Sequence, residues 1–118
     1  VNMLLWAMQL PVKKDNVIQD VISAIESGQF IPSIHAQSRM VERDINFSDV
    51  EEAVYNSKRE EGKDELTRDG KAWKYALRGL NENQDKDIRL VVLYLENPKM
   101  LLVTVINTNE KAGVSDVK

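Results

Sequence analysis

The chain's one histidine and two of its arginines are spaced four residues apart, at His35, Arg39 and Arg43. In a helix, residues at positions i, i+4 and i+8 lie along one face. Histidine titrates near neutral pH and can take up or release a proton. Guanidinium groups bind phosphate through paired donors. The spacing therefore predicts a stripe that holds a phosphate ester and transfers protons near it.

A structural role is the alternative for each member of this stripe. A lone histidine often packs against its helix or caps it, and Glu42 stands three residues after Arg39. Like charges four residues apart destabilise a helix by about 0.2–0.5 kcal/mol, so Arg39 and Arg43 together favour a nearby anion. That anion is either a carboxylate, from Glu42 or from the next helix, or a bound phosphate. The sequence leaves both interpretations open.

Three helices are predicted before residue 57. Apolar residues at helical spacing predict the first over residues 15–27. Pro32 and Ser33 close a short connection, and Ser33 is placed to cap a second helix that carries the stripe and ends near Asp44. The third opens at Ser48 and Glu51, which have the spacing of a capping box. These helices would precede the sheet in the chain.

Strands are predicted over residues 71–79, 88–95 and 100–107, where branched and aromatic side chains concentrate. Residues 57–64 are charged and predict a loop or a frayed strand start. Asp69 and Gly70 predict a tight primed turn before the first long strand. Short connections predict an antiparallel meander, so the fold class is α+β, with two to three helices packed on an antiparallel sheet of three to four strands. Residues 1–118 are predicted to form a single domain with a core over 15–107 and a polar tail over 108–118.

Composition removes several classes of chemistry. The chain has 118 residues, no cysteine and one histidine, which excludes disulfides, thiolate catalysis and two-histidine zinc sites. No phosphate-binding glycine loop, dinucleotide fingerprint or serine nucleophile elbow is present. Metal-free acid–base chemistry remains, and no cofactor or metal is predicted. The net charge is -3, so RNA binding would require a local basic patch.

The chain also has no apolar run of the roughly 20 residues that a membrane-spanning helix needs. Together with the absence of cysteine, this predicts a cytoplasmic protein with no membrane partner. The apolar residues 3–8 lack the features of a secretory signal and are interpreted as part of the fold. Val1 and Asn2 precede a methionine and are given no weight.

Candidate substrate-binding residues are predicted in the strands. Alternation along the first long strand directs Lys74 and Arg78 to one face and Tyr75 to the other. Arg89, at the start of the next strand, is placed to lie near Arg78. These cations would form a basic rim that faces the His35 helix, and Tyr75 would stack on a base. Core packing is the alternative for the aromatic ring.

A family resemblance covers residues 17–107. The motif His35-Ala36-x-x-Arg39-Met40-x-x-Arg43-x-Ile45, then Asp49-Val50, Trp73-x-Tyr75 and Val103-Thr104-Val105-Ile106, resembles the small bacterial family known as domain of unknown function 4258. Such proteins resemble the RelE-like toxin superfamily, within the wider group of barnase, EndoU, colicin and RelE folds, in which helices pack on a curved antiparallel sheet. The resemblance implies a metal-independent ribonuclease of toxin–antitoxin or interbacterial-toxin type, partnered by an antitoxin or immunity protein.

Two functions are therefore expected. In the first, the chain is an endoribonuclease or toxin, with His35 as general acid or base and with Arg39 and Arg43 binding phosphate. RNA is the expected polymer because metal-free cleavage can use its 2′-hydroxyl as the attacking group. In the second, the chain is a non-catalytic binding module, whose stripe holds a protein carboxylate, an anion or nucleic acid.

Overall fold

The computed structural model describes residues 10–109 of the chain. Helices and short strands come first: α1 (Val17–Glu26), β1 (Phe30–Pro32), α2 (Ile34–Glu42), α3 (Phe47–Tyr55) and β2 (Lys58–Arg59). A short 3-10 helix (Glu61–Lys63) leads to β3 (Glu65–Leu66), β4 (Trp73–Leu80), β5 (Asp87–Tyr94) and β6 (Met100–Asn107). The predicted α+β class is confirmed. The predictions for residues 1–9, and for 110–118 of the polar tail, lie outside the described residues.

The sheet has the strand order β1-β6-β5-β4-β2, and β3 also pairs with β4. The three long strands form the predicted antiparallel meander. The predicted strand number and the purely antiparallel pairing are wrong, because the described residues contain six strands and β1 pairs with β6 in parallel. The missed strands have two or three residues each, which is too short for a periodic sequence signal.

Capping residues set where α2 and α3 begin. The Ser33 hydroxyl accepts a hydrogen bond from the Ala36 amide at 3.0 Å, as predicted, and donates to the Val103 carbonyl of β6 at 3.0 Å. The predicted cap of α3 at Ser48 is wrong. Asn46 caps this helix, because its side chain accepts from the Asp49 amide at 2.8 Å while the Asp49 carboxylate accepts from the Asn46 amide at 3.1 Å. This reciprocal pair satisfies two helix-end donors and starts α3 at Phe47.

The β3–β4 hairpin is confirmed, but its turn is wider than the predicted primed turn. The Thr67 amide donates to the Ala72 carbonyl at 2.9 Å, and the turn lies between them. Gly70 has a φ of 72°, whereas Asp69 does not have a positive φ. The Asp69 carboxylate instead accepts from the Thr67 hydroxyl at 2.6 Å and from the Lys71 amide at 2.9 Å. A type I′ turn requires a positive φ at both of its central residues. Here only Gly70 has one, and the side-chain hydrogen bonds of Asp69 hold the wider turn.

The helices pack on one face of the sheet, called here the covered face. Their buried residues form one core with strand residues of that face: Val21, Ala36, Val50 and Val54 of the helices with Tyr75, Leu77, Leu90, Val92, Leu102 and Val105 of the strands. Helix α3 lies directly against β4, since a Cβ on Gly79 would be 2.1 Å from the Ala53 carbonyl oxygen. Side chains that alternate to the other face, the open face, are mostly half-buried: Lys74, Arg78, Arg89, Val91, Leu93, Leu101, Thr104 and Ile106.

No helix within residues 10–109 is long and apolar enough to cross a membrane.

Candidate functional site

The His/Arg stripe lies on α2, as predicted, and it is open to solvent. The His35 side chain is exposed and forms no hydrogen bond or ion pair with any residue of the described range. Arg39 Nη1 lies 2.7 Å from Glu42 Oε1, and Arg43 Nη1 lies 3.6 Å from the same oxygen. One carboxylate thus contacts both arginines. The predicted alternative of an Arg39–Glu42 ion pair is present in the structure.

A second arginine pair lies on the open face. Arg78 of β4 and Arg89 of β5 stand directly opposite each other in the register of the two strands. Like charges in that position repel unless an anion separates them. Glu60 provides the anion: its carboxylate lies 2.5 Å from Arg89 Nε and 3.4 Å from Arg78 Nη1. The three side chains form a cross-strand cluster that joins the loop after β2 to the middle of the sheet.

Asp87 completes this cluster from the first position of β5. Its two carboxylate oxygens accept hydrogen bonds from Arg78 Nε at 3.0 Å and Nη2 at 2.8 Å, which is bidentate geometry. Thr108 donates to the Asp87 carbonyl at 2.9 Å and lies 3.4 Å from Arg78 Nη2. The hydrogen bond from Arg89 lowers the pKa of Glu60, and the hydrogen bond from Arg78 lowers the pKa of Asp87. Both carboxylates are therefore ionised at neutral pH.

A buried carboxylate anchors the loop that carries Glu60. The Asp64 side chain has no exposed surface and accepts from Arg59 Nη2 at 2.6 Å, from Lys13 Nζ at 2.9 Å and from the Ala76 amide at 2.8 Å. Burial raises the pKa of Asp64, but these donors outweigh it and the net direction is down. Asp64 thus fixes the 3-10 segment against β4, and so positions Glu60 over the open face.

The other predicted substrate-binding residues separate between the two faces. Lys74 lies on the open face, where its Nζ is 3.6 Å from Glu65 Oε1. Tyr75 lies in the core of the covered face with 3% of its surface exposed. Its hydroxyl accepts from the Lys14 amide at 2.8 Å, and its ring packs edge-on against Tyr94. The structure therefore places Tyr75 away from any surface on which an RNA base could stack.

The stripe and the strand cations do not form the expected common rim. Helix α2 packs on β6 and β1, and its buried residues Ala36 and Met40 belong to the covered-face core. Arg78 and Arg89 project from the opposite face of the sheet. The reason is the parallel strand β1, which enters beside β6 and turns the chain onto the covered face at Ser33.

Glu60 and Asp87 are the site residues that the sequence analysis missed. Glu60 stands in a charged run interpreted as a loop, yet its amide donates to the Ala76 carbonyl at 2.9 Å and continues the β2–β4 pairing. The predicted strands already placed Arg78 near Arg89. Two neighbouring cations are stable only with a carboxylate close to both. This requirement was the signal that could have pointed to an acidic residue such as Glu60.

A separate cavity of about 610 Å³ lies between α1 and the β5–β6 turn. Its lining includes Asp20, Ser23, Tyr94, Lys99 and Met100. The Tyr94 hydroxyl donates to Asp20 at 2.5 Å, and burial raises the pKa of Tyr94. No three His, Asp or Glu side chains are grouped to hold a metal ion, in this cavity or elsewhere in residues 10–109.

The fold and these two regions define an α+β protein with helices on one sheet face and an arginine–carboxylate cluster on the other. Residues 33–107 match the family described as Domain of unknown function (DUF4258). The matched segment contains α2, α3 and all strands from β2 to β6, and the chain belongs to this family. No curated protein and no solved structure matches the chain.

Proposed function

We propose that this protein is a RelE-like, metal-independent endoribonuclease that binds and cleaves RNA on the open face. One observation carries the proposal: the Glu60 carboxylate lies between the Arg78 and Arg89 guanidinium groups on the face of the sheet opposite α1, α2 and α3. A carboxylate can accept the proton of an internal nucleophile, and two fixed positive charges can stabilise the phosphorane-like charge that develops. Lys74 on the same face would extend RNA backbone binding along β4.

The chemistry follows from the positions of these groups. Glu60 accepts the proton of the RNA 2′-hydroxyl as that oxygen attacks the adjacent phosphorus. Arg78 and Arg89 bind the non-bridging oxygens and stabilise the charge that develops on them. The bond from phosphorus to the 5′-oxygen then breaks, that oxygen takes a proton from water, and the hydroxide so formed takes the proton held by Glu60. The products are a 2′,3′-cyclic phosphate end and a 5′-hydroxyl end. The Arg78 side chain is 40% exposed, so a phosphate can reach its guanidinium group from solvent.

The test compares substitutions at the two regions with a fluorescent RNA substrate in the presence of EDTA. Glu60→Gln keeps the shape of the side chain and removes the base, so we expect cleavage to slow by about 10²–10⁴-fold. Glu82→Gln, an identical change at an exposed glutamate, is the matched control and should cleave at the wild-type rate. DNA of the same sequence should stay intact because it lacks the 2′-hydroxyl. Induced wild type should arrest bacterial growth, and Glu60→Gln should not.

His35→Ala separates this proposal from the version in which the stripe is catalytic. Cleavage by this variant should equal that of the wild type, because His35 lies on α2 at the covered side of the sheet. Loss of cleavage in His35→Ala at unchanged folding stability would show that the catalytic group lies on α2 and not on the open face. Absence of cleavage by the wild type, or full cleavage by Glu60→Gln, would refute the ribonuclease proposal.

The second candidate is a non-catalytic binding module that uses the stripe. The exposure of this stripe favours it, because His35 lies open to solvent and Arg39 contacts Glu42 through Nη1 alone among its nitrogens, within residues 10–109. The same RNA provides the test. If the wild type binds it without cleaving it, and Arg39→Gln weakens that binding while Arg78→Gln does not, the stripe is a nucleic-acid binding site.

A further inference from the structure

The outer surface of α2 exposes two branched aliphatic side chains. Ile34 is 86% exposed and Val41 is 83% exposed. They are seven residues apart, so they lie on the same side of the helix, with Ser38 between them. These three residues are called here the α2 outer face. Ala36 and Met40, on the opposite side of the helix, are buried in the core. The two aliphatic residues therefore remain uncovered after α2 has packed on the sheet.

The flank of this face carries basic groups. Glu42, His35 and Arg39 lie beside the outer face, in that order around the helix, so that two basic side chains and one acidic one border it. Arg39 is 39% exposed and contacts Glu42 through Nη1 alone among its nitrogens, within the described residues. Its remaining donors and the N–H group of the exposed His35 ring are available to an incoming carboxylate. An acidic partner would complement this flank.

The aliphatic residues distinguish a protein partner from RNA. Side chains of isoleucine and valine neither stack on bases as aromatic rings do nor donate hydrogen bonds to phosphate. Against another protein, however, they bury apolar surface, which is the main source of favourable free energy in such contacts. Ser38 is small, so a side chain of a partner helix can insert between Ile34 and Val41.

We propose that the α2 outer face docks an acidic amphipathic helix of another protein. Apolar side chains of that helix contact Ile34 and Val41, and its carboxylates pair with Arg39 and His35. This surface belongs to the covered side of the sheet, whereas the proposed RNA site is on the open face. Docking of the partner and cleavage of RNA thus use different residues and can be tested separately.

The experiment uses the full chain and a synthetic helical peptide with leucines spaced at i, i+4 and i+7 and flanked by glutamates. A matched peptide carries lysines in place of the glutamates. We expect saturable binding of the acidic peptide by fluorescence anisotropy, with amide chemical-shift changes centred on α2. Ile34→Asp and Val41→Asp should each weaken binding by roughly tenfold or more. Val12→Asp is the matched control, because Val12 is 91% exposed and lies outside α2, and it should bind like the wild type.

The lysine peptide should bind at least roughly tenfold more weakly than the acidic one. Both aspartate substitutions are at exposed positions, and circular dichroism with RNA cleavage by each variant reports whether it is folded. Lack of saturable binding, equal binding to Val12→Asp and Ile34→Asp, or equal affinity for both peptides would overturn the proposal. Shifts on α2 with an RNA oligonucleotide, and none with the acidic peptide, would also overturn it. If Ile34→Asp cleaves RNA and the wild type does not bind the peptide, the docking proposal is refuted and the ribonuclease proposal is not.

Discussion

The two arginine groups of this protein differ in how their partners reach them. On α2, Arg39 pairs with Glu42, three residues further along the same helix. On the open face, Arg78 and Arg89 contact Glu60 across 18 and 29 residues of sequence. The first pair belongs to one element, whereas the second group joins a loop, β4 and β5. The Arg39–Glu42 ion pair needs only the helix itself, wherever that helix packs. The open-face cluster forms only when β4, β5 and the loop after β2 are in their native register.

This difference bears on which group can do chemistry. Catalysis needs charges that are held in place before the substrate arrives, and sites on strands supported by further contacts meet that need better than exposed side chains on a helix. Arg78 is held by two carboxylates, and Glu60 by two guanidinium groups. Recognition of a partner tolerates mobile side chains. The comparison therefore supports the two proposals, RNA cleavage on the open face and docking of a partner on the α2 outer face.

The largest expected effect comes from removing Asp64, the anchor of the loop that carries Glu60. Asp64→Ala leaves Arg59 without its buried partner and leaves the Ala76 amide without an acceptor. We expect a loss of about 3 kcal/mol in the free energy of unfolding, measured by urea denaturation. Asp15→Ala, at an exposed aspartate, is the control and should change stability by less than about 0.5 kcal/mol. A loss below about 1 kcal/mol for Asp64→Ala would show that the open face is not more firmly held than α2.

A smaller, pH-dependent effect is expected at Asp87. Arg78 lowers the pKa of Asp87 in the folded state, so its ion pair stabilises the fold fully above the unfolded pKa of about 4. This contribution is lost as the pH falls through the lower folded-state pKa. Because Arg78 is 40% exposed, we expect Asp87→Asn to cost about 1 kcal/mol at pH 7. The difference between wild type and variant should shrink as urea titrations are repeated from pH 6 to pH 3. A difference that grows on acidification would contradict the assigned pair.

Periodic segments of this chain were predictable, and contacts between segments were not. The three long strands, the helices and the Ser33 cap follow from spacings within ten or so residues, and the structure has them. Strand β1 has only three residues, and its parallel pairing depends on where β6 lies. Glu60 becomes a site residue only through a register that brings it over Arg78 and Arg89. No local pattern contains that information.

The two faces of β4 show the same limit. Alternation correctly predicted that Lys74 and Tyr75 project in opposite directions, because the period of a strand is a local property. Which of these faces the helices cover depends on contacts between distant segments, such as the close approach of α3 to Gly79. Alternation therefore left two roles open for Tyr75, base stacking and core packing, and the structure places it in the core.

The smallest effect is expected at the ion pair of α2. Both side chains are substantially exposed, 39% for Arg39 and 51% for Glu42, so solvent screens their attraction. Glu42→Ala should change the free energy of unfolding by less than about 0.5 kcal/mol, and about 1 M salt should remove most of that difference. The same variant should bind the acidic peptide more tightly, because it removes the carboxylate that competes for Arg39. Urea denaturation and fluorescence anisotropy measure the two effects, with Glu82→Ala as the control. If Glu42→Ala instead loses more than about 1 kcal/mol of stability, the α2 pair is structural, and the contrast with the open face fails.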